Sequence, residues 1–235
     1  MRLIDWPNGL TITAQEPLSG PRTVGSTSKQ GLDGYVQTTA APFGLWRWKF
    51  QFGAMKHTAF RRYRGWITAL HGGANATRVE FCDPDTLNFV EAGLPYDPVD
   101  QPWSNGRGWS NGSYWGATAP LAGVADVAAL GDSIIKLDDE FWGYNLGVGD
   151  WFGFTPLHFG LYTITEVINP GEYRIWPPLR KAISATDEAT LQPTLAMRLE
   201  DETSAAIPRS SPYAENLTVT MVEVLDYDVR DYFTE

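Results

Sequence analysis

The chain has 235 residues, and its 18 lysine and arginine residues against 28 aspartate and glutamate residues give a formal net charge of −10. This acidic balance argues against nucleic-acid binding, which requires a basic surface. The lone cysteine, Cys82, excludes an internal disulfide and a thiolate cluster, and no run of 18 apolar residues is present to form a transmembrane helix.

The beginning of the chain predicts an irregular arm. Residues 1–42 are rich in proline, glycine, serine and threonine and hold only short extended stretches. Such segments often become ordered only against a neighbouring molecule. The first residues lack the apolar core of a signal peptide, so we expect the protein to be made and assembled in a cytosol.

The next segment predicts a strand, a helix, a glycine turn and a second strand. Large aromatics alternate with polar residues from Trp46 to Phe52, which indicates a half-buried strand. Apolar residues then recur every three to four positions from Met55 to Leu70 (Met55, Ala59, Tyr63, Ile67 and Leu70), which predicts one apolar helix face. Gly72 and Gly73 end the helix, and alternation resumes at Val79.

Charge is segregated along the chain. No acidic residue lies between Asp33 and Glu80, but seven basic residues do, among them Arg61, Arg62 and Arg64 on the predicted helix. From Glu200 onward there are nine acidic and two basic residues. The two regions are complementary, either within one fold or between subunits. The predicted interface acids of the C-terminal region are Glu223, Asp226, Asp228 and Asp231.

A long aromatic loop is predicted over residues 83–119. The tetrapeptide Trp-Ser-Asn-Gly occurs at Trp103 and again at Trp109, and Trp115 follows. Asn-Gly pairs favour tight turns, and loops of this length are usually functional or ordered by a partner. Two interpretations stay open: these tryptophans pack in a subunit interface, or they form a carbohydrate-binding surface.

A separate β unit is predicted over residues 120–202, inserted into a domain made of residues 1–119 and 203–235. Short strands joined by turns, including the strong turn Asn169-Pro170-Gly171, favour a small barrel or sandwich. We assign Thr194–Leu199 to this unit and Leu217–Leu225 to a strand that rejoins the first domain. The fold class is therefore α+β, mostly β, with one amphipathic helix.

Catalytic chemistry is not indicated. His57 and His71 lie fourteen residues apart on one predicted helix, about 21 Å, which is too far to share a metal. His158 falls in an apolar turn. The acids Asp83 and Asp85, like the run Asp138-Asp139-Glu140, lack a calcium-loop spacing, and a hydrolase using Asp83 or Asp85 is the least favoured alternative. We expect no enzyme activity, no metal and no cofactor.

The ordered pieces resemble the distal tail and minor tail proteins of long-tailed bacteriophages (siphophages), the group that includes the lambda-type tail-tip ring protein. The pieces that match are Trp46–Phe52, Met55–Leu70, Gly72-Gly73, Arg78–Cys82 and Leu217–Leu225. An inserted β module of siphophage tail proteins is similar to Gly149-Asp150-Trp151-Phe152, Tyr162–Thr165 and Gly171–Ala182.

This resemblance implies a belt domain that forms a ring, usually of six copies, at the distal end of the tail tube. The implied partners are further copies of the chain, the tail tube protein, the hub or baseplate protein and the tape-measure protein. It implies a place in the virion tail after assembly in the host bacterial cytoplasm, with no membrane contact and no catalytic residues.

Overall fold

The computed structural model describes residues 2–22, 29–30, 36–37, 44–81, 105–110, 121–138, 145–156, 158–205, 213–215 and 217–225. The chain divides into two compact units. The first consists of Met1–Val79 with Leu195–Glu235, and the second is Glu80–Thr194. The fold is mostly β, as the composition predicts, with one α-helix in the described part.

The described strands are, in chain order, β1 (Leu3–Ile4), β2 (Ile12–Arg22), β3 (Lys29–Gln30), β4 (Val36–Gln37), β5 (Leu45–Phe52), β6 (Ala76–Glu80), β7 (Leu121–Val124), β8 (Ile134–Asp138), β9 (Trp151–Thr155), β10 (His158–Asn169), β11 (Glu172–Trp176), β12 (Glu188–Thr190), β13 (Thr194–Leu199) and β14 (Leu217–Glu223). The helix α1 spans His57–Ala69, and a short 3-10 turn, His71–Gly73, follows it.

The first unit contains a six-stranded sheet in the order β1-β6-β13-β14-β5-β2. β14, the predicted closing strand, runs antiparallel to β5, with Leu217 opposite Phe52 and Val222 opposite Arg47. β1 pairs with β6 in parallel, whereas β2 pairs with β5 in antiparallel orientation. β3 and β4 form a separate two-stranded sheet.

The helix α1 packs on the aromatic face of β5. Every second residue of this strand from Trp46 to Phe52 is buried, as its alternation predicts. Tyr63 and Trp66 of α1 place their rings 5.4 and 6.1 Å from the ring of Phe52. Trp6 adds a further ring, 4.8 Å from Trp66. These contacts concentrate aromatic surface at one site and hold the helix against the sheet.

The buried face of α1 agrees with the predicted one in part: Met55, Tyr63 and Leu70 are buried as the sequence predicts. Its buried residues are Phe60, Tyr63 and Trp66, whereas Ala59 and Ile67, which the sequence placed in the core, are only partly buried. The helix also begins at His57 rather than Met55. The apolar positions of the two faces overlap, and the larger aromatic rings, which bury more surface, decide the rotation of the helix.

The second unit contains a closed six-stranded barrel in the order β10-β11-β8-β7-β12-β9. Each neighbouring pair is antiparallel. The predicted turn at Asn169-Pro170-Gly171 joins β10 to β11, with Asn169 opposite Glu172. Its interior consists of residues such as Ile135, Phe152, Tyr162, Tyr173 and Ile175, all at most 1% exposed.

One strand lies in a different sheet from the one that the sequence predicted. Thr194–Leu199 (β13) was assigned to the second unit, but Met197 pairs with Glu223 and Leu199 with Met221 of β14 in the first sheet. The chain thus returns to the first unit at Leu195, earlier than the predicted residue 203, and enters the second unit at Glu80 rather than at 120. Alternation within a strand carries no information about its partner, which explains the error.

Candidate subunit-docking surface

The predicted arginines lie on the exposed face of α1. Arg61, Arg62 and Arg64 are all exposed, whereas Phe60, Tyr63 and Trp66 of the same helix are buried. Arg61 lies opposite the buried residues, and Arg62 and Arg64 flank them. α1 has no acidic residue in its sequence, so no carboxylate within the helix neutralises them. The result is an exposed basic surface on a chain whose net charge is −10.

The three arginines differ in what they contact. Arg62 Nη1 donates a hydrogen bond to the backbone oxygen of Asn8, 3.0 Å away, which ties the helix to the segment before β2. Arg61 Nη2 donates to Thr58 Oγ1 at 3.3 Å, within the helix. No carboxylate in the described ranges forms an ion pair with Arg61 or Arg64. Arg61 and Arg64 are therefore the two arginines left for an outside partner.

The N-terminal end of α1 strengthens the positive potential of this surface. Lys56 occupies the N-cap position without a side-chain cap, and the first turn has no acidic residue. The dipole of a helix places partial positive charge at this end, where anions are favoured by about 0.3–1 kcal/mol. A cation at this position is unfavourable in the isolated helix, because it repels the positive end of the dipole. An anionic partner bound here would remove this repulsion.

Arg47, by contrast, is neutralised within the first unit. It lies on the face of β5 away from α1, and its Nε donates to Glu200 Oε2 at 2.7 Å. Both side chains are partly buried. The pairing of basic and acidic regions within one fold, which the sequence left open, is thus present at this residue, whereas the described C-terminal acids form no ion pair with the arginines of α1.

Glu223 has an internal role rather than a surface one. Its side chain is only 4% exposed, and Oε2 accepts a hydrogen bond from the backbone N–H of Trp46 at 3.0 Å. This bond continues the β14–β5 pairing one step beyond Val222 and Arg47. A carboxylate used in this way is not available for docking. Asp226, Asp228 and Asp231 lie outside the described residues.

The described part of the aromatic loop is residues 105–110. Trp109 is 42% exposed in it, and Asn105 Oδ1 accepts a hydrogen bond from the N–H of Arg107 at 3.0 Å. This side chain-to-backbone bond is the local turn that Asn-Gly predicts. Trp103 and Trp115 lie outside the described residues, and Trp109 is the one exposed aromatic side chain of residues 105–110.

A buried polar cluster in the barrel was not predicted. His158 Nε2 lies 2.5 Å from the hydroxyl of Tyr162, and the same hydroxyl accepts a hydrogen bond from the backbone N–H of Arg180 at 2.9 Å. His158 and Arg180 are 5% and 7% exposed. The sequence placed His158 in a turn, but it begins β10. The hydroxyl of Tyr162 contacts His158 and also holds the segment around Arg180 against the barrel.

Two further titratable groups among the described residues have shifted pKa values. Burial raises the pKa of Tyr63 to about 12, and hydrogen bonds from Thr203 and Ser204 lower the pKa of Asp201 in an exposed turn. Among the described residues, no three His, Cys, Asp or Glu side chains are grouped to hold a metal ion. His57 and His71 are both exposed. The helix of the described part is too short and too polar to span a membrane.

Comparison of the chain with protein-family models finds no matching family, and comparison with curated proteins finds no significant match.

Proposed function

We propose that this protein is a structural component of a siphophage tail. In this proposal six copies form a ring at the distal end of the tail tube and join the tube to the hub or baseplate. The observation that carries it is the exposed arginine surface of α1 on an acidic chain. A closed ring requires two different, complementary patches on each subunit, and segregated charge supplies them.

The edges of the first sheet favour contacts through side chains rather than through added strands. The edge strand β1 has two residues, which limits its pairing capacity. The other edge strand, β2, has eleven residues but contains Pro17 and Pro21, which have no backbone N–H to donate. Short edges and prolines on edges oppose strand addition. A surface such as that of α1 is then the better means of association.

The barrel supports an adaptor role. Its ladder of hydrogen bonds closes on itself, so its strands have no open edge and do not depend on the first sheet for pairing. In the proposed ring, the first unit provides the belt and the barrel is the inserted module that presents a surface to neighbouring tail proteins. The proposed partners are the tail tube protein, the hub or baseplate protein and the tape-measure protein.

The net charge suits a protein around a DNA channel. A net charge of −10 disfavours contacts with phosphates, so the genome would pass without being retained. The proposal requires no catalysis, no cofactor and no membrane contact. It places the protein in the virion tail after assembly in the host bacterial cytoplasm.

The purified chain should assemble into a closed ring of fixed stoichiometry. We expect light scattering after size exclusion to give the mass of about six subunits of 26.1 kDa, because a heterologous contact that closes stops growth at one size. Negative-stain images of the same peak should show rings. A mass of one subunit at every concentration tested, or filaments of unlimited length, would contradict the proposal.

A second candidate, a carbohydrate-binding or receptor-binding module, is favoured by the exposure of Trp109. Exposed aromatic rings next to amide side chains such as Asn105 stack on sugars and hydrogen-bond their hydroxyls. If this candidate is correct, the chain binds members of a glycan array, and Trp109→Ala lowers the affinity at least tenfold. Val127→Ala, at a residue that is 68% exposed in the second unit, is the matched control and should bind normally. An array without hits rejects this candidate.

A further inference from the structure

The start of α1 and the end of the described chain lie at opposite ends of one strand pair. α1 follows β5 after four residues, so it begins near Phe52, which pairs with Leu217 at the start of β14. β14 ends beside Arg47, and the described chain reaches Leu225 there. Arg47 and Phe52 are five positions apart, which corresponds to about 17 Å along the strand.

The segment that follows Leu225 is complementary in charge to the helix surface. Residues 226–235 contain four acidic residues and one basic residue: Asp226, Asp228, Asp231 and Glu235 with Arg230. On α1, Arg61 and Arg64 are three positions apart and share one exposed face. Arginine binds carboxylates through two parallel hydrogen bonds, which gives such pairs geometric specificity. Arg61 and Arg64 form no ion pair with a carboxylate of the described residues, so an acidic segment can bind them.

We propose that residues 226–235 of one copy dock on Arg61 and Arg64 of the next copy and thereby form the contact that closes the ring. This inference rests on the proposed function and names the contact that it needs. Two complementary patches that start from opposite ends of one strand pair can repeat head to tail, which is the geometry of a cyclic assembly. Ten residues can extend to about 35 Å, which is far enough for the segment to reach Arg61 and Arg64 of its own chain. The experiment must therefore distinguish pairing between copies from pairing within one chain.

Reversal of the two helix charges tests the contact. We expect Arg61→Glu with Arg64→Glu to raise at least tenfold the concentration at which half of the chains are assembled, because like charges would then face each other. Both side chains are exposed, so the thermal unfolding midpoint should stay unchanged. The matched control is Lys181→Glu with Arg107→Glu, which reverses two exposed cations of the second unit and changes the net charge by the same amount. The control should assemble like the original chain.

Charge exchange identifies the partner segment. Adding Asp226→Arg and Asp228→Arg to the Arg61→Glu, Arg64→Glu variant should restore assembly, whereas the same two changes alone should weaken it. Wild-type assembly should also weaken as salt rises from about 0.05 to 0.5 M, since the Debye length falls below 5 Å. If none of the four charge changes alters the concentration at which half of the chains are assembled, the inference is wrong.

Disulfide trapping separates contact between copies from contact within one chain. In a Cys82→Ser background, chains carrying Arg64→Cys are mixed with tagged chains carrying Asp226→Cys, Asp228→Cys or Asp231→Cys. Oxidation should join two chains in at least one mixture, and Lys181→Cys chains should join none above background. If the two cysteines placed in one chain join only within it, the inference is wrong.

The outcomes also separate this inference from the proposed function. A ring of the original chain that survives charge reversal leaves the proposed function standing and rejects the contact. A chain that is monomeric at every concentration rejects both, because no next copy is then bound.

Discussion

Gly73→Ala is expected to lower the free energy of unfolding of the first unit by about 2–5 kcal/mol. Gly73 has φ 98°, and an added Cβ would lie 2.5 Å from the backbone oxygen of Leu199 in β13. The left-handed conformation costs a residue with a side chain about 1–2 kcal/mol. Moving two backbone segments apart in a packed region costs about 1–3 kcal/mol more. Urea unfolding followed by circular dichroism measures the loss.

Gly65→Ala is the matched control, because the same change should there have the opposite sign. Gly65 lies within α1 and is exposed, and an added Cβ would meet no atom within 4 Å. Alanine in a helix is more stable than glycine by about 0.5–1 kcal/mol, so stability should rise by that amount. Equal effects of the two substitutions would contradict the account of how Gly73 joins α1 to β6.

Local periodicity was sufficient to predict the elements that have strong patterns. The alternation from Trp46 to Phe52 predicted β5, and the recurrence of apolar residues predicted α1 to within two residues at its start. The turn at Asn169-Pro170-Gly171 predicted the β10–β11 hairpin. In these cases the residues that specify an element lie within it, so no knowledge of the rest of the chain is needed.

Features that depend on residues distant in the sequence could not be predicted from local patterns. β12, Glu188–Thr190, has three residues and no alternation, yet it pairs with both β7 and β9 and closes the barrel. Glu223 reads as a surface acid, but its carboxylate accepts a hydrogen bond from a residue 177 positions away. Position in the sheet, rather than residue type, determines both roles.

The sequence predicted which arginines form the candidate docking surface, but not which of them have partners within the chain. The sequence identified Arg61, Arg62 and Arg64 because their charge has no local counterpart, and the structure places all three on the exposed face. It could not distinguish Arg62, whose partner is the backbone oxygen of Asn8, from the other two. That distinction needs the contact between α1 and the segment before β2, which brings together residues 54 positions apart.

Tyr162→Phe is expected to lower the free energy of unfolding of the barrel by about 2–6 kcal/mol. The hydroxyl of Tyr162 lies 2.5 Å from His158 Nε2 and accepts a hydrogen bond from the backbone N–H of Arg180. Without it, two buried polar groups lose a partner, and each such loss costs about 1–3 kcal/mol. Hydrogen exchange should report faster opening in β10 and around Arg180. Exchange unchanged in both places would show that the cluster does not hold the barrel.

Tyr63→Phe makes the same chemical change with the opposite expected sign. The hydroxyl of Tyr63 is buried and has no hydrogen-bond partner within the described residues. Its removal abolishes a desolvation penalty without breaking a bond, so stability should rise by about 1 kcal/mol. A fall in the free energy of unfolding instead of this rise would contradict the prediction. It would indicate that the hydroxyl has a hydrogen-bond partner outside the described part of the chain.

The pH dependence of Tyr63→Phe provides an independent check. Burial raises the pKa of Tyr63 from 10.0 to about 12, so the folded state keeps its proton where the unfolded state loses it. Stability of the original chain should therefore fall as pH rises from 10 toward 12, since the unfolded state binds fewer protons in that window. The phenylalanine variant lacks this contribution, so its advantage over the original chain should grow by about 1 kcal/mol between pH 10 and 11. A constant difference across this range would mean that the Tyr63 hydroxyl is solvated in the folded protein.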